Sequence, residues 1–413
     1  MRKYLRSIRF VSAAIAILTV LALAVGAFYF QNSTAHAAPP TDDGLGTPQY
    51  ATDGGVTNFS ARANTIPYFR SSFTDPTNKV TYPYTMVGTN PNAGDATTTI
   101  PTVIIPFRFT FVKSVDANNV LDGTDRVSAT VQSPVFQKAD IGAAADSTAS
   151  APPSQSGVAP ANARPVQEPS DVTQLGDAIY RAQWGKSNSG YHVLLGQPTV
   201  LPTVSYSVPA NQGQITVGSR SHARIGLMDY NWFSSRLHET LNNLHISSQV
   251  LPIFLVDNTF LYEGNNTANC CVLGYHGAFS SLNGNGQQQV QTYMFASYSS
   301  PGIFRTNPGD TTSYVQDIHG LSHEVQEWMD DPFVNNSINP WLTPTAPQYG
   351  CTSDLETGDP VVGFGFTVHM PNGVDYHPED EVHYSWFARE SPSRAAEGYY
   401  TYLNNFAGVA KGC

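Results

Sequence analysis

Alternation of apolar and polar residues predicts β-strands along the first half of the chain. Residues 98–112 are rich in β-branched and aromatic side chains, and aromatic residues alternate there with Arg108 and Thr110. Two prolines in this segment favour an edge strand or a bent one. The strand pattern returns at residues 191–208, 250–262 and 287–298.

Two segments have the period of a helix. Residues 173–185 form one short amphipathic pattern, and residues 313–329 form a second one. Ser313 and Gln316 match a capping box, and Pro332 blocks continuation beyond Asp331. One arc of the second helix is apolar: Val315, Ile318, Leu321, Val325, Trp328 and Met329. The opposite arc carries His319, His323, Glu327 and Asp330, with Glu324 at its edge.

Other segments have no clear period. Residues 38–95 are predicted to form an irregular leader or propeptide, and residues 139–169 a flexible insertion. Residues 265–279, which contain glycine and cysteine, are predicted to be a loop. The acidic segment 116–125 invites comparison with a calcium-binding loop, but its spacing misses the EF-hand pattern, so a solvated turn is expected and calcium stays an open question.

The first residues have the pattern of a signal peptide. Arg2, Lys3, Arg6 and Arg9 precede an apolar run, and the Ala-His-Ala sequence at residues 35–37 predicts cleavage before Ala38. An uncleaved membrane anchor is the alternative, because the apolar run is long. We therefore expect a secreted or periplasmic protein with residues 1–37 as its signal peptide.

Charge and cysteine content narrow the classes of partner. The formal net charge is −11, and it becomes −15 when the four basic residues of the signal are lost. A strongly acidic chain repels nucleic acids and anionic lipids, so neither is an expected partner. The four cysteines predict disulfides in an oxidising compartment. Because a bond between neighbours is strained, Cys270 and Cys271 are expected to pair with Cys351 and Cys413.

The polar arc of the second helix carries candidate metal ligands. Positions four residues apart lie on one face of a helix, so His323 and Glu327 can reach one ion while Glu324 projects to the flank. Nitrogen and oxygen ligands suit zinc, and a neighbouring carboxylate can act as general base toward water. The ordinary alternative is a solvated helix face without any ion.

The His-Glu-x-x-Glu sequence at 323–327 resembles the active-site helix of zincin metallopeptidases, whose common form ends in histidine where this chain has Glu327. The string that includes residues 321–324 and 331–332 is similar to a group of secreted bacterial zincin-like proteins, as are residues 275–277 and 173–178. The resemblance covers roughly residues 95–413. The residue patterns predict an α+β fold in which a β-rich part, residues 96–230, precedes a part around the second helix, residues 231–413. The resemblance implies that this second part is zincin-like and catalytic.

The resemblance also implies a third ligand. The thermolysin-like branch of the zincins takes it from a downstream glutamate, with a supporting aspartate, and Glu356 and Asp359 look like that pair. His319 is the rival ligand, because it lies four residues before His323 on the same face. Other histidines are expected to be structural: His276 in a loop, and His369, His377 and His383 on a surface loop around residues 379–381, with a role at the site as the alternative.

Two hypotheses about function follow. The first is a secreted zinc-dependent peptidase that acts on peptide or protein substrates, with His323, Glu327 and Glu356 as metal ligands and Glu324 as the general base. The second is an exported binding or structural protein on a zincin-like scaffold, with a vestigial or purely structural metal site. The replacement of histidine by Glu327 keeps the second hypothesis open.

Overall fold

The fold is given by a computed structural model, which describes residues 45, 48–146, 172–219, 221–264, 266–283, 285–304, 315–344 and 350–413. The predicted signal peptide, 1–37, and most of the predicted insertion, 147–169, lie outside the described residues. Within the described part of the chain, no helix is both long and apolar enough to cross a membrane.

Strands dominate the described residues. They are β1 (Gln49–Gly54), β2 (Tyr68–Thr74), β3 (Thr81–Val87), β4 (Thr97–Ile100), β5 (Thr102–Phe111), β6 (Val120–Asp122), β7 (Ala139–Asp140), β8 (Ala145–Asp146), β9 (Val172–Thr173), β10 (His192–Leu195), β11 (Thr199–Val200), β12 (Val204–Val208), β13 (Gly213–Val217), β14 (Arg224–Asp229), β15 (Leu251–Asp257), β16 (Thr259–Tyr262), β17 (Cys270–Leu282), β18 (Gln288–Tyr298), β19 (Ser337–Leu342), β20 (Cys351–Asp354), β21 (Thr367–His369) and β22 (Asp375–Tyr376). The α-helices are α1 (Thr124–Val131), α2 (Ile141–Ala144), α3 (Leu175–Gln183), α4 (Tyr230–Leu244), α5 (His319–Asp330) and α6 (Tyr384–Phe387).

One large mixed sheet organises the fold. Its strand order is β11-β5-β15-β18-β17-β16-β14-β13, with β1 joining β17 and with β6 and β12 joining β5. Strand β15 runs parallel to β5 and β18, whereas β17 runs antiparallel to β18 and β16. The α+β fold class is therefore confirmed. The sheet takes strands from both sides of the predicted boundary at residues 230 and 231, so that boundary divides one sheet and not two domains.

Side-chain alternation assigns the two faces of the sheet. Tyr275 and Phe295 pack with α4, in an aromatic cluster that includes Phe233. Their neighbours in sequence point to the other face, where Met294 packs with the apolar residues of α5. Because His276 follows Tyr275 in the same strand, its side chain faces α5. The prediction of a loop at 265–279 is thus wrong, since most of this segment belongs to a buried strand.

Of the two alternatives predicted from the prolines, the edge strand is wrong for β5, and the bent strand stays a prediction. The segment is a strand, as expected, but it has neighbours on both sides and is not an edge. Strands β15 and β11 pair with its first half, up to Pro106, and β6 and β12 pair with its second half. Proline donates no hydrogen bond, so it fits the position where the strand exchanges partners.

The N-terminal segment is ordered and not irregular. Strand β1 runs parallel to β17, and β2 and β3 form an antiparallel hairpin. Ile66 and Met86 belong to the same apolar core as α5. The backbone N–H of Thr85 donates to Asn336 Oδ1, which lies just beyond the end of α5. Residues 48–95 are therefore part of the core, and their apolar side chains explain why the segment folds with the rest of the chain.

Helix α5 begins later than predicted. The expected capping box is absent in the described residues, because Gln316 is not helical and Ser313 lies outside them. Asp317 instead bridges to Ser299 at the end of β18, and its side chain accepts from the backbone N–H of Ile318. This pairing with the sheet holds Asp317 outside the helix, which begins at His319. The predicted end was correct, since α5 stops at Asp330 before Pro332.

The disulfide pairing is also a correction. Cys270 bonds to Cys271, and Cys351 bonds to Cys413 with a Cα–Cα distance of 6.2 Å. Cys351 pairs with Leu342 between β19 and β20, and the neighbouring Trp341 bridges to Gly412. These pairings bring the C-terminal residue beside Cys351, whereas Cys270 and Cys271 start a strand of the large sheet.

Candidate metal centre

Helix α5 has no solvated face. Every residue from His319 to Asp330 is buried, including the polar arc that an amphipathic helix ordinarily turns to water. The apolar arc, which includes Val325 and Trp328, packs into the hydrophobic core. The polar arc is covered by β17, by Tyr50 of β1 and by the loops around residues 356–359 and 379–381. Buried charges of this kind need partners, so the contacts of each side chain matter.

Glu327 is held at one oxygen and presents the other. Its Oε1 accepts from the backbone N–H groups of Gly358, at 3.1 Å, and Asp359, at 3.3 Å. Its Oε2 lies 3.0 Å from His323 Nε2 and 3.8 Å from His276 Nδ1. Burial alone would raise the pKa of Glu327, but His323 outweighs it and the pKa is lowered to about 2. The side chain is therefore a carboxylate aimed at two imidazoles.

His323 is fixed on three sides. Its Nδ1 lies 3.0 Å from Glu379 Oε2, which leaves Nε2 to face Glu327. The ring stacks on Tyr50, with centroids 3.4 Å apart and an angle of 16°. Gly358 lies so close that a Cβ there would overlap the imidazole. Burial opposes protonation of His323, yet Glu327 and Glu379 together raise its pKa well above the usual value. A carboxylate behind a histidine orients the ring toward an ion on its other side.

Glu324 and His276 form a second buried pair. His276 Nδ1 lies 3.2 Å from Glu324 Oε2, and both side chains are completely buried. Burial lowers the pKa of His276 to about 4 and raises that of Glu324 well above its usual value. Glu324 fits beneath Gly274, where an added Cβ would lie 2.7 Å from its Oε1. Glycine at 274 therefore makes room for this carboxylate next to the sheet.

The two downstream acids, Glu356 and Asp359, lie close to Glu327. One ligand atom each of Asp359, His323 and Glu327 lie within 4.8 Å of one another. Glu356 does not belong to that group, but it is buried, and the charge of Glu327 acts on its carboxyl group. Burial raises the pKa of Asp359 to about 8 and that of Glu356 well above its usual value. Of the two downstream acids, Asp359 is thus the one that stands with His323 and Glu327.

His319 lies away from both groups of candidate ligands. Its Nε2 is 3.0 Å from Glu379 Oε2, the same oxygen that contacts His323. The backbone N–H of Glu379 donates to Ser322 Oγ, which ties the acidic loop to α5. His319 therefore supports Glu379 and does not face Glu327.

The sequence did not identify Glu379. The segment 379–381 was expected on a surface loop with three histidines, but Glu379 and His383 are completely buried. The expectation holds for His369, which is exposed beside Asp375, and His377 pairs with Asp317. Apolar residues on either side of His383, Val382 and Tyr384, were the available sign that this stretch enters the core.

The residues gathered around Glu327 fit a divalent cation. We call His276, His323, Glu324, Glu327, Glu356 and Asp359 the Glu327 cluster. Two sets in it have ligand atoms within 4.8 Å of one another: His276 with Glu324 and Glu327, and His323 with Glu327 and Asp359. His276 Nε2, Glu324 Oε1 and Glu356 Oε1 are buried without a hydrogen-bond partner. Mixed nitrogen and carboxylate donors suit zinc and similar ions, and a cation would offset the buried negative charge.

Comparison with known proteins finds no matching family model, curated protein or solved structure. The resemblance of the α5 motif to the zincins accordingly stays a prediction.

Proposed function

We propose that the protein is a secreted zinc-dependent peptidase, with its centre in the Glu327 cluster. The observation that carries the proposal is the convergence of two buried side chains of one helix, His323 and Glu327, with the partly buried Asp359 of a loop. His323 and Glu327 are the ligands that the motif predicts, and Asp359 takes the position expected for Glu356. The disulfides agree with an oxidising compartment outside the cytoplasm.

Each residue has a chemical task in this proposal. When bound, zinc supplies Lewis acidity and lowers the pKa of a coordinated water toward 7. Glu324 accepts the proton of the attacking water at Oε1, which has no hydrogen-bond partner, while His276 holds Oε2. Glu379 orients His323, and the backbone N–H groups of residues 358 and 359 orient Glu327. Glu324 then returns the proton to the leaving amine.

Burial favours a second candidate function, a structural ion without catalysis. His276, His323 and Glu324 have no exposed surface, and Tyr50 covers the His323 ring. Structural zinc sites are closed, whereas catalytic sites keep one position open for water or substrate. In the peptidase proposal a wall of the cluster opens to admit an extended peptide.

The test measures metal and hydrolysis on the same samples. The full chain and Glu324→Gln are loaded with zinc, and metal content is measured by mass spectrometry beside hydrolysis of labelled casein. We expect Glu324→Gln to keep at least one zinc per chain and to lose about 10²- to 10⁴-fold in kcat/KM. Glu239→Gln is the matched control, because Glu239 also follows a histidine in a helix but is partly exposed and paired with Arg236.

The outcomes separate the two candidates. Bound zinc without hydrolysis in the wild-type chain would support the structural ion and reject the peptidase. A chain that takes up no zinc at all would reject both.

A further inference from the structure

The Glu327 cluster holds more negative charge than one ion offsets. Glu324, Glu327, Glu356 and Asp359 are four carboxylates around one point, and an isolated buried carboxylate is strongly disfavoured. One divalent cation balances two of them. Glu379 lies outside this set of four, because it faces His319 and His323.

The distances around Glu327 Oε2 describe two ligand positions. Atoms bound to one ion at about 2.1 Å, with ordinary bond angles, lie roughly 3.0–3.8 Å from each other. His323 Nε2 is 3.0 Å from Glu327 Oε2. On the other side, His276 Nδ1 is 3.8 Å from the same oxygen and 3.2 Å from Glu324 Oε2. The two histidines come from different elements, α5 and β17, and they do not belong to one common set of ligands.

We infer that the protein binds two divalent cations side by side, with Glu327 shared between them. His323, Glu327 and Asp359 hold the first ion, on which the proposed function rests. His276, Glu324 and Glu327 hold the second, which takes zinc or a similar ion such as manganese. The second ion takes the place of the direct contact between His276 Nδ1 and Glu324 Oε2, and the unpartnered Oε1 of Glu324 remains free to accept a proton.

A second ion changes what the site can do to a substrate. In peptide hydrolysis, two neighbouring cations would polarise the attacking water and the carbonyl oxygen of the scissile bond together. They also explain why His276, a residue outside the helix motif, lies fully buried against Glu324 with no contact to water.

The number of ions per chain tests the inference without measuring activity. The metal-free full chain is titrated with zinc, and bound metal is counted by mass spectrometry after gel filtration. We expect two zinc ions per chain in the wild type and one in His276→Ala. His383→Ala is the matched control and should keep two, because His383 is equally buried but belongs to neither set of candidate ligands.

A measurement on the wild type guards against a variant that fails to fold. Loaded with manganese, the wild-type chain should give the electron paramagnetic resonance spectrum of a spin-coupled pair. One zinc per wild-type chain, or the spectrum of an isolated manganese ion, would overturn the second site and leave the proposed function standing. No bound metal would overturn both.

Discussion

Helices α4 and α5 each carry a histidine followed by a glutamate, yet the two pairs meet different surroundings. In α4, Glu239 forms a partly exposed ion pair with Arg236 at 2.6 Å, and the side chain of His238 is 41% exposed. In α5, His323 and Glu324 are fully buried among other carboxylates. The difference lies in what covers the helix: the sheet supports both, but only α5 has a second layer over its polar arc.

The two helices also differ in what holds their N-terminal ends. Asp229 caps α4, because its side chain accepts from the backbone N–H of Trp232 at 2.9 Å. The start of α5 has no side-chain cap and is held by the bridge between Asp317 and Ser299. Helix α4 is stabilised by a cap from its own sequence, so it can present its polar arc to water. Helix α5 depends on contacts with residues far away in the chain. This contrast teaches that a His-Glu motif is a candidate for chemistry where the rest of the chain encloses it.

The largest expected effect is on stability. In the metal-free chain, His323→Ala should lower the free energy of unfolding by about 3–5 kcal/mol, because it leaves Glu327 and Glu379 buried without their shared partner. His238→Ala, in the partly exposed pair of α4, should lower the free energy of unfolding by about 1 kcal/mol or less. Urea unfolding monitored by circular dichroism measures both. Equal losses would mean that burial makes no difference between the two histidines.

The pH dependence of stability should have opposite signs in the two regions. Burial raises the pKa of Asp331, at the end of α5, to about 7. The folded state then keeps a proton that the unfolded state loses near pH 4, so this contribution to stability falls as pH rises from 4 to 7. Near α4, burial opposes ionisation of Asp53, but hydrogen bonds from His238 and Ser234 lower its pKa. Its contribution is present at neutral pH and is lost in acid.

Two variants test these signs. Asp331→Asn should reduce the fall in unfolding free energy between pH 4 and pH 7 by on the order of 1–3 kcal/mol. Asp53→Asn should destabilise the chain more at pH 7 than at pH 3. Urea unfolding at each pH is the measurement. A steeper fall in Asp331→Asn would show that the buried carboxyl is ionised in the folded state.

The smallest expected effect concerns the position of the His323 ring. Gly358→Ala places a methyl group against the imidazole, so the affinity for zinc should fall about 10- to 100-fold. Gly408→Ala is the control, because its added Cβ meets nothing within 4 Å. Competition with a zinc-binding dye gives both affinities. Unchanged affinity in Gly358→Ala would indicate that His323 does not bind the ion.

Local pattern predicted much of this molecule. Strands β5, β15 and β18, helix α3 and the end of α5 follow from period and proline positions. The stacking of His323 and Glu327 on one face follows from helix geometry. The downstream acids were found by spacing, although Asp359 and not Glu356 stands with His323. In each case the information lies within a few residues of the feature.

Contacts between residues far apart in the chain could not be predicted from the sequence. His276 faces α5 because side chains alternate along β17. The glycines and cysteines of this segment led to the prediction of a loop, so the alternation was not recognised. Glu379 meets His323 across 56 residues of chain, and Tyr50 reaches the same ring from β1. The partner of Cys351 depends on the bridge between Trp341 and Gly412. No local period records such contacts, because they depend on how strands and loops are brought together.

The stacking of Tyr50 on His323 has a consequence for the kinetics of metal exchange. His323 has no exposed surface, so a chelator in solution cannot reach an ion at its Nε2 while the wall is in place. Tyr50 forms part of that wall through β1, which pairs with β17 from Gln49 to Gly54. Release of the proposed ion should therefore wait for a local opening of the fold, and its rate should become independent of chelator concentration once capture is fast.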